Sequence, residues 1–469
     1  MDLSAAHGLL TDFVRGQFAS EQRRLDRIAY WMQTHRDRAG FRRPATMPKD
    51  APETSLELAR LSEANYLPLV LDTFSQVLKV DGYMAASSDV AASSWADWQR
   101  NRMDARQTGL TRAALQYGTA YALVSEDVAE GVTVPRISLF SPRRMVGLFD
   151  DADDEWPEFA VFRTRDRVTL VDDEAAYPFV LPNGAVFPAK TSALAALASQ
   201  LIPAEPEPHG MGFVPVIRYR DRMLLDGEEQ QGIIEPLIII QERINDVTYK
   251  QSVSLHVEAF RQRYIIGWSA ESEEEALKAT AQKIWMFGDK DPSEVQVGSL
   301  DTGDPGNYSG PRAEAIRDMA AIGQIPAQSL GVDGISNISD ATLAGLEAAK
   351  DRKVSEIKTS LGESHEQLMR TCGQVRGDAE AAADYESEVH WAEFQARSFA
   401  ATVDGLVKLV QAQVIPTDMA LEKVPGVTQQ EVRRADRSLR KAQGTQLVQQ
   451  LIASRQPAAA EVPGAGDAA

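Results

Sequence analysis

The stretch 310-GPRAEAIRDMAAIGQIPAQSLGVDGISNISDATLAGLEAAKDRKVSEIKTSLGESHEQLMRTC-372 decides how the chain is read. It spells a short helix, a sharp loop and a long helix. Pro311 suits a helix start, because a proline there forfeits an N–H that has no partner anyway. Pro326 biases Ile325 out of the α region and stops the run. The loop that follows holds Gly331, Asp333, Gly334, Ser336, Asn337 and Ser339. Ser339 is a natural N-cap, and Asp340 places its charge at the positive end of the helix dipole. From there Leu343, Leu346, Val354, Ile357, Leu361 and Leu368 fall on one stripe at about 100° per residue. Lys350 and His365 lie inside the stripe, while Arg352, Glu356 and Glu363 lie opposite. Thirty-odd residues at about 1.5 Å each make a rod of roughly 50 Å. Such a rod is expected to need a large partner or several copies of itself.

Working outward, Ile325-Pro326, Leu330-Gly331, Ser336-Asn337, Ser339 and the helix with Ala341, Leu343, Ala348-Ala349 and Lys353 resemble the tunnel loop and long helix of tailed-bacteriophage portal proteins, of the kind found in long-tailed phages. The resemblance covers roughly residues 56–451, as an order of elements rather than dense identity. It implies an α+β portal fold with a helical and β-rich wing, long stem helices, a small α/β clip and a C-terminal helical crown.

The chain has 469 residues, enough for two to four domains with a sizeable core. A hydrophobic fraction of 43% and a charged fraction of 25% fit an ordinary globular composition. No apolar run approaches the ~20 residues that span a bilayer, so no membrane partner is expected. The single cysteine, Cys372, excludes an intrachain disulfide framework and suits a reducing cytoplasm. The net charge of −19 has the wrong sign for a simple nucleic-acid binder. It suits the wall of a conduit that must not hold DNA, although acidity alone is explained by solubility.

Before the deciding stretch, residues 1–54 read as an amphipathic helical arm with arginines on its solvated side. Residues 55–80 and 91–117 read as helices, the first broken or kinked at Pro68. Trp95 and Trp98 in the second are read as core. The pattern changes at Gly118: residues 119–125, 132–139, 145–149, 159–163 and 168–171 are short β-branched or aromatic runs, hence strands. Pro182-Asn183-Gly184 reads as a hairpin turn. The acidic cluster 150–155 lacks EF-hand spacing and reads as a solvated turn. Residues 203–212 read as a linker and 214–217 as a further strand. After Cys372, 373–383 reads as a connector and 387–391 as a strand returning to the wing.

The implied domains are the arm at 1–54, the wing at 55–231, a first stem helix at 232–260, the clip at 261–304 and a second stem helix at 305–327. The tunnel loop follows at 328–339, the long wing helix and return strand at 340–392, crown helices at 393–453 and a disordered tail at 454–469.

Little in the chain carries chemistry. Gly-Lys never occurs, so there is no P-loop. His7, His35, His209, His256, His365 and His390 are scattered without zinc spacing, and no Gly-x-Ser-x-Gly elbow is present. Nothing local activates Cys372. No catalytic residue, metal or cofactor is expected, and the chain reads as non-enzymatic.

The resemblance implies a homo-oligomeric ring, expected as a dodecamer, at one capsid vertex of the virion, made in the host bacterial cytoplasm. Double-stranded DNA would pass through without sequence recognition. The terminase large subunit would dock on the clip, where Lys283, Trp285, Phe287 and Lys290 are candidates, and head–tail connector, capsid and scaffold proteins would follow. In the loop, glycines allow several backbone shapes, and Ser336, Asn337 and Ser339 can donate to phosphates or simply cap the helix. Lys250, Arg312 and Arg317 on the stem are candidates for channel lining or for ion pairs between subunits. Two other classes stay open: a phage-encoded nucleic-acid-processing enzyme with an unrecognised acidic site, and a helical scaffold or adaptor with no DNA role.

Overall fold

A computed structural model describes residues 1–13, 16, 19–33, 42–85, 87–182, 200–225, 230–259, 263–266, 296–299, 305–332, 340–392, 399–416 and scattered positions from 420 to 441. The elements run in this order: α1 (Leu3–Phe13), α2 (Ala19–Met32), α3 (Glu53–Ser62), α4 (Leu67–Ser75), β1 (Val80–Met84), α5 (Ser88–Arg100) and α6 (Met103–Tyr117). Next come β2 (Thr119–Ala129), β3 (Val132–Phe140), β4 (Met145–Leu148), β5 (Phe159–Arg163), β6 (Arg167–Val171), β7 (Ala175–Val180), β8 (Ile202–Pro203), β9 (Glu207–Pro208) and β10 (Val216–Arg220). The chain continues through α7 (Ile238–Ala259), β11 (Arg263–Ile266), β12 (Gln296–Ser299), α8 (Ser309–Gly323), α9 (Asp340–Arg376), α10 (Ala379–Ala382), β13 (Glu388–Trp391) and α11 (Phe399–Gln411). The fold is mixed helix and sheet, an α+β arrangement.

Alternation along the strands builds the layers. In the antiparallel sheet β10-β2-β3, Ala120, Ala122, Val124, Ile217 and Tyr219 face the main helical core, while Tyr121, Phe140 and Val216 face the other way. Those last three pack on Met145, Ala160 and Val171 of a larger sheet, ordered β4-β5-β6-β7-β8 with β9 also beside β7. The opposite face of that sheet buries Phe159, Val168, Leu170 and Phe179 under Ala6, Leu10 and Phe13 of α1. Phe13 meets Phe159 edge-on at 5.5 Å.

Several expectations change here. The stretch read as helical over 55–80 breaks as Pro68 implies, with that proline in the first turn of its second helix, but Val80 at its end opens a strand instead. A distant partner causes this: β1 pairs with β13, and the Gln107 side chain bonds both Val80 N (2.8 Å) and Val80 O (2.9 Å). The helix read over 91–117 also breaks, at Arg102, whose φ of 54° is left-handed. Part of the linker read at 203–212 forms the short strands β8 and β9 on the edge of the larger sheet. The helix read as ending near Cys372 continues to Arg376. Gly373 lies against the backbone of α10, where an added Cβ would come 2.8 Å from Ala381 Cβ. The hairpin turn read at 182–184 lies almost wholly outside the described residues.

The rod itself is α9, 37 residues or roughly 55 Å long. Val354, Ile357, Leu361 and Leu368 of the expected stripe are buried, as are Met369, Cys372 and Val375. What buries them is the chain's own body: α9 packs on β2, β3, β10, β13 and α5. From Val354 onward the rod therefore needs no second copy to cover its apolar side, which corrects half of the expectation.

Candidate channel site

The segment 261–304 connects the end of α7 to the start of α8. Its two described pieces, β11 and β12, pair antiparallel from Arg263↔Ser299 to Ile266↔Gln296. The flanking helices run side by side in opposite directions. On α7, Ile238, Ile240, Gln241, Ile244, Asn245 and Tyr249 are buried, and on α8 Ala315, Ile316, Met319, Ala320 and Gly323 are buried, both at helical spacing. An ion pair between Arg243 and Asp318 ties the two. Gln241 tethers α7 to the α3–α4 connection: its Oε1 accepts from Tyr66 N (2.8 Å), and its Nε2 donates to Ala64 O (2.7 Å) and Asn245 Oδ1 (2.8 Å).

The three stem candidates are placed as follows. Lys250 pairs one turn back with Asp246 at 2.7 Å. Burial pulls the Asp246 carboxyl upward, but the Lys250 ammonium and the Thr46 hydroxyl and N–H outweigh it, so it stays below the usual range. Arg312 donates from Nη2 to the Tyr66 hydroxyl at 3.0 Å. Arg317 is exposed on α8. Lys283, Trp285, Phe287 and Lys290 lie outside the described residues.

At the end of α8, Gln324 turns left-handed (φ 56°) and Pro326 starts a short 3-10 turn, Ala327–Leu330. Leu330 is buried, so the loop leaves from a fixed anchor. Gly331 caps that turn at φ +79°, which a side chain would resist. Asp333, Gly334, Ser336, Asn337 and Ser339 lie outside the described residues, and α9 resumes at Asp340, where the capping pattern places it.

Beyond the loop α9 is held by polar contacts that the sequence did not reveal. The Ser360 and Ser364 hydroxyls donate to Arg220 O (2.8 Å) and Arg218 O (3.0 Å), closing the open edge of β10. The i, i+4 spacing on the helix matches the i, i+2 spacing of outward carbonyls on the strand. Lys353 Nζ sits 5.1 Å over the Phe74 ring, and burial lowers its pKa. Nearby, burial raises Asp221 to about 6. His365 is enclosed by Trp98, Tyr219 and Trp391, with ring centroids at 5.3, 5.0 and 6.0 Å. The Cys372 thiol is buried and pushed up by that burial, hence inert. Among the described residues no three metal-ligating side chains cluster, and no helix is long and apolar enough to cross a membrane.

With this geometry in place, the sequence matches the family "Phage portal protein, SPP1 Gp6-like" over residues 52–445. The chain belongs to that family: it is a portal protein, a structural component of a phage-type virion. Similar solved structures come from gene transfer agent (GTA) particles. One is the virion of the native particle, at 13% identity and TM-score 0.46, covering 82% of this chain and 97% of that chain. A second is the neck of the native particle computed with C12 symmetry, at 12% identity, TM-score 0.46 and the same 82% and 97% coverage. A third is the neck of the empty particle computed with C6 symmetry, at 12% identity and TM-score 0.43, covering 79% of this chain and 92% of that chain. A comparison with curated proteins gives no match.

Proposed function

We infer that copies of this chain close into a ring at one capsid vertex and that double-stranded DNA passes through its lumen during packaging and ejection. The observation that carries this reading is the family match; the packed helices α7 and α8 on either side of 261–304, followed by a turn whose Leu330 is buried, support it. In this reading α7 and α8 are the stem, 261–304 is the clip and 328–339 is the tunnel loop. The wing is 55–231 with α9 and β13, and α11 begins the crown. The clip docks a terminase large subunit and later the connector proteins, and the force comes from that separate ATPase. The loop carries no Lys or Arg between Gly331 and Ser339, so it guides DNA by transient phosphate contacts and does not grip it.

Deleting 331–339 tests the assignment. Rings still form, but particles built on them retain little nuclease-protected DNA. Normal DNA retention by the deletion variant contradicts the loop's role. Turnover of ATP by the purified chain alone contradicts a separate motor.

A further inference from the structure

The β2–β3 hairpin outgrows its sheet. β10 covers the outer edge of β2 over Thr119 to Leu123, and Val124 N donates to Pro215 O at 3.0 Å just beyond. The outer edge of β3 is capped by Asn101, whose Nδ2 donates to Pro135 O (2.9 Å) and whose Oδ1 accepts from Ile137 N (2.8 Å). Val134 is still buried, but beyond it the hairpin tip is an exposed two-stranded arm, turned by Glu130 (φ 53°) and Gly131 (φ 81°). A lone hairpin is marginal in water. This one exposes Val128 to 71% and Val132 to 61%. Glu126, Asp127 and Glu130 charge its tip, with no Lys or Arg between 125 and 135.

At the other end of the same strand pair lies a cleft of about 750 Å³ between the 153–155 turn, β10 and α9. Its floor holds Arg218, lying 3.6 Å over the Phe149 ring, and Arg220; each donates at 2.8 Å to one shared acceptor, Ala152 O. A guanidinium has five donors, so most of this capacity is unused by protein partners. Glu155 is engaged by Arg370 at 3.6 Å, and Asp154 accepts from Asp151 N at 2.7 Å. Among the described residues no carboxylate stands within ion-pair distance of Arg218 or Arg220. Met223 and Tyr385 line the cleft and are exposed.

Arg220 pairs with Thr119, and Ala129 is ten residues further along β2, roughly 33 Å at the rise of a strand. Arm and cleft therefore cannot meet within one chain. We propose that the acidic tip of the β2–β3 arm of one subunit docks in the Arg218/Arg220 cleft of the next, its carboxylates meeting the guanidiniums and Val128 covering Met223 and Tyr385. The contact joins two different patches, so it is heterologous and propagates around a ring. It rests on the ring reading above. Asp153, Asp154 and Glu363 line the same cleft, so the attraction is local to the two guanidiniums and sets register more than overall affinity.

The test uses one chain carrying both Val128→Cys and Met223→Cys. Both positions are exposed and the native Cys372 is buried, so folding and background crosslinking are unaffected. Mild oxidation of the assembled protein is expected to give a non-reducing ladder up to the full ring, absent from either single variant. Separately, Arg220→Glu lowers the assembled fraction at fixed concentration at least tenfold, and adding Asp127→Lys restores it. Rings that form without a ladder, or that ignore the charge reversal, overturn the docking and leave the ring standing. Wild-type protein that stays monomeric overturns both.

Discussion

The Tyr219 hydroxyl lies 3.1 Å from Nδ1 of His365, joining β10 to α9 inside the main core. Trp98 of α5 and Trp391 of β13 close the box, so four elements meet on one imidazole. In the neutral tautomer that carries its proton on Nε2, Nδ1 accepts a hydrogen bond from the hydroxyl. Charging the ring would remove that acceptor inside an aromatic enclosure.

A pH dependence follows. Burial pushes His365 from an ordinary 6.5 down to about 3. Its contribution is complete above pH 6.5 and is lost as pH falls from 6.5 toward 3, because the unfolded chain takes up a proton that the fold refuses. Asp221 acts in the opposite direction: raised from 3.8 to about 6, it stabilises below 3.8 and loses that contribution as pH rises through 6. Comparing wild type with His365→Gln isolates the histidine. Between pH 7.5 and 5 the wild type should lose up to about 2 kcal/mol relative to the variant, read from urea midpoints. Parallel pH profiles for the two proteins would remove His365 as the cause.

The serine contacts along β10 set a second expectation. Ser360→Ala and Ser364→Ala each strip a donor from an edge carbonyl and should cost about 1 kcal/mol, with the double variant worse. Thermal unfolding reads this directly. An unchanged midpoint in the double variant would mean that apolar packing alone seats α9.

Asp97 is buried on α5, between Arg376 at the end of α9 and Arg100. Burial raises its carboxyl despite both guanidiniums. Asp97→Ala removes one of the two carboxylates that Arg376 engages, Asp378 staying at 2.9 Å, and should destabilise by about 2 kcal/mol. Pairing it with Arg376→Leu should recover a good part of that loss. Additive losses in the double variant would show that the two residues are not coupled.

Gly331→Val forces a β-branched side chain to φ +79° and should cost on the order of 1–2 kcal/mol at the base of the loop, although no atom would clash with the new Cβ. Local hydrogen exchange around Leu330 should rise. Unchanged exchange there would mean that the loop base is not held in this conformation.

Much of this fold is legible in local patterns. The strands at 159–163 and 168–171 (the latter opening one residue earlier, at Arg167), the Pro326 stop and the start of α9 at Asp340 follow from turn residues, alternation and capping. The failures all have distant causes. Val80 becomes a strand because of residues some 310 positions later. The apolar stripe of α9 gives the need for a partner but not its identity, and the partner is the chain's own sheet. Ser360, Ser364 and His365 carry no motif; only the i, i+4 serines beside a buried stripe hint at their role. The Arg218/Arg220 cleft has no signal beyond alternating arginines on a short strand.

The most direct measurement is negative-stain microscopy of the purified full chain at micromolar concentration, with its mass in solution. An annulus with a stain-filled central hole and a mass many times the 51.4 kDa of one chain is expected. A uniform monomer or compact dimer with no lumen contradicts the portal ring.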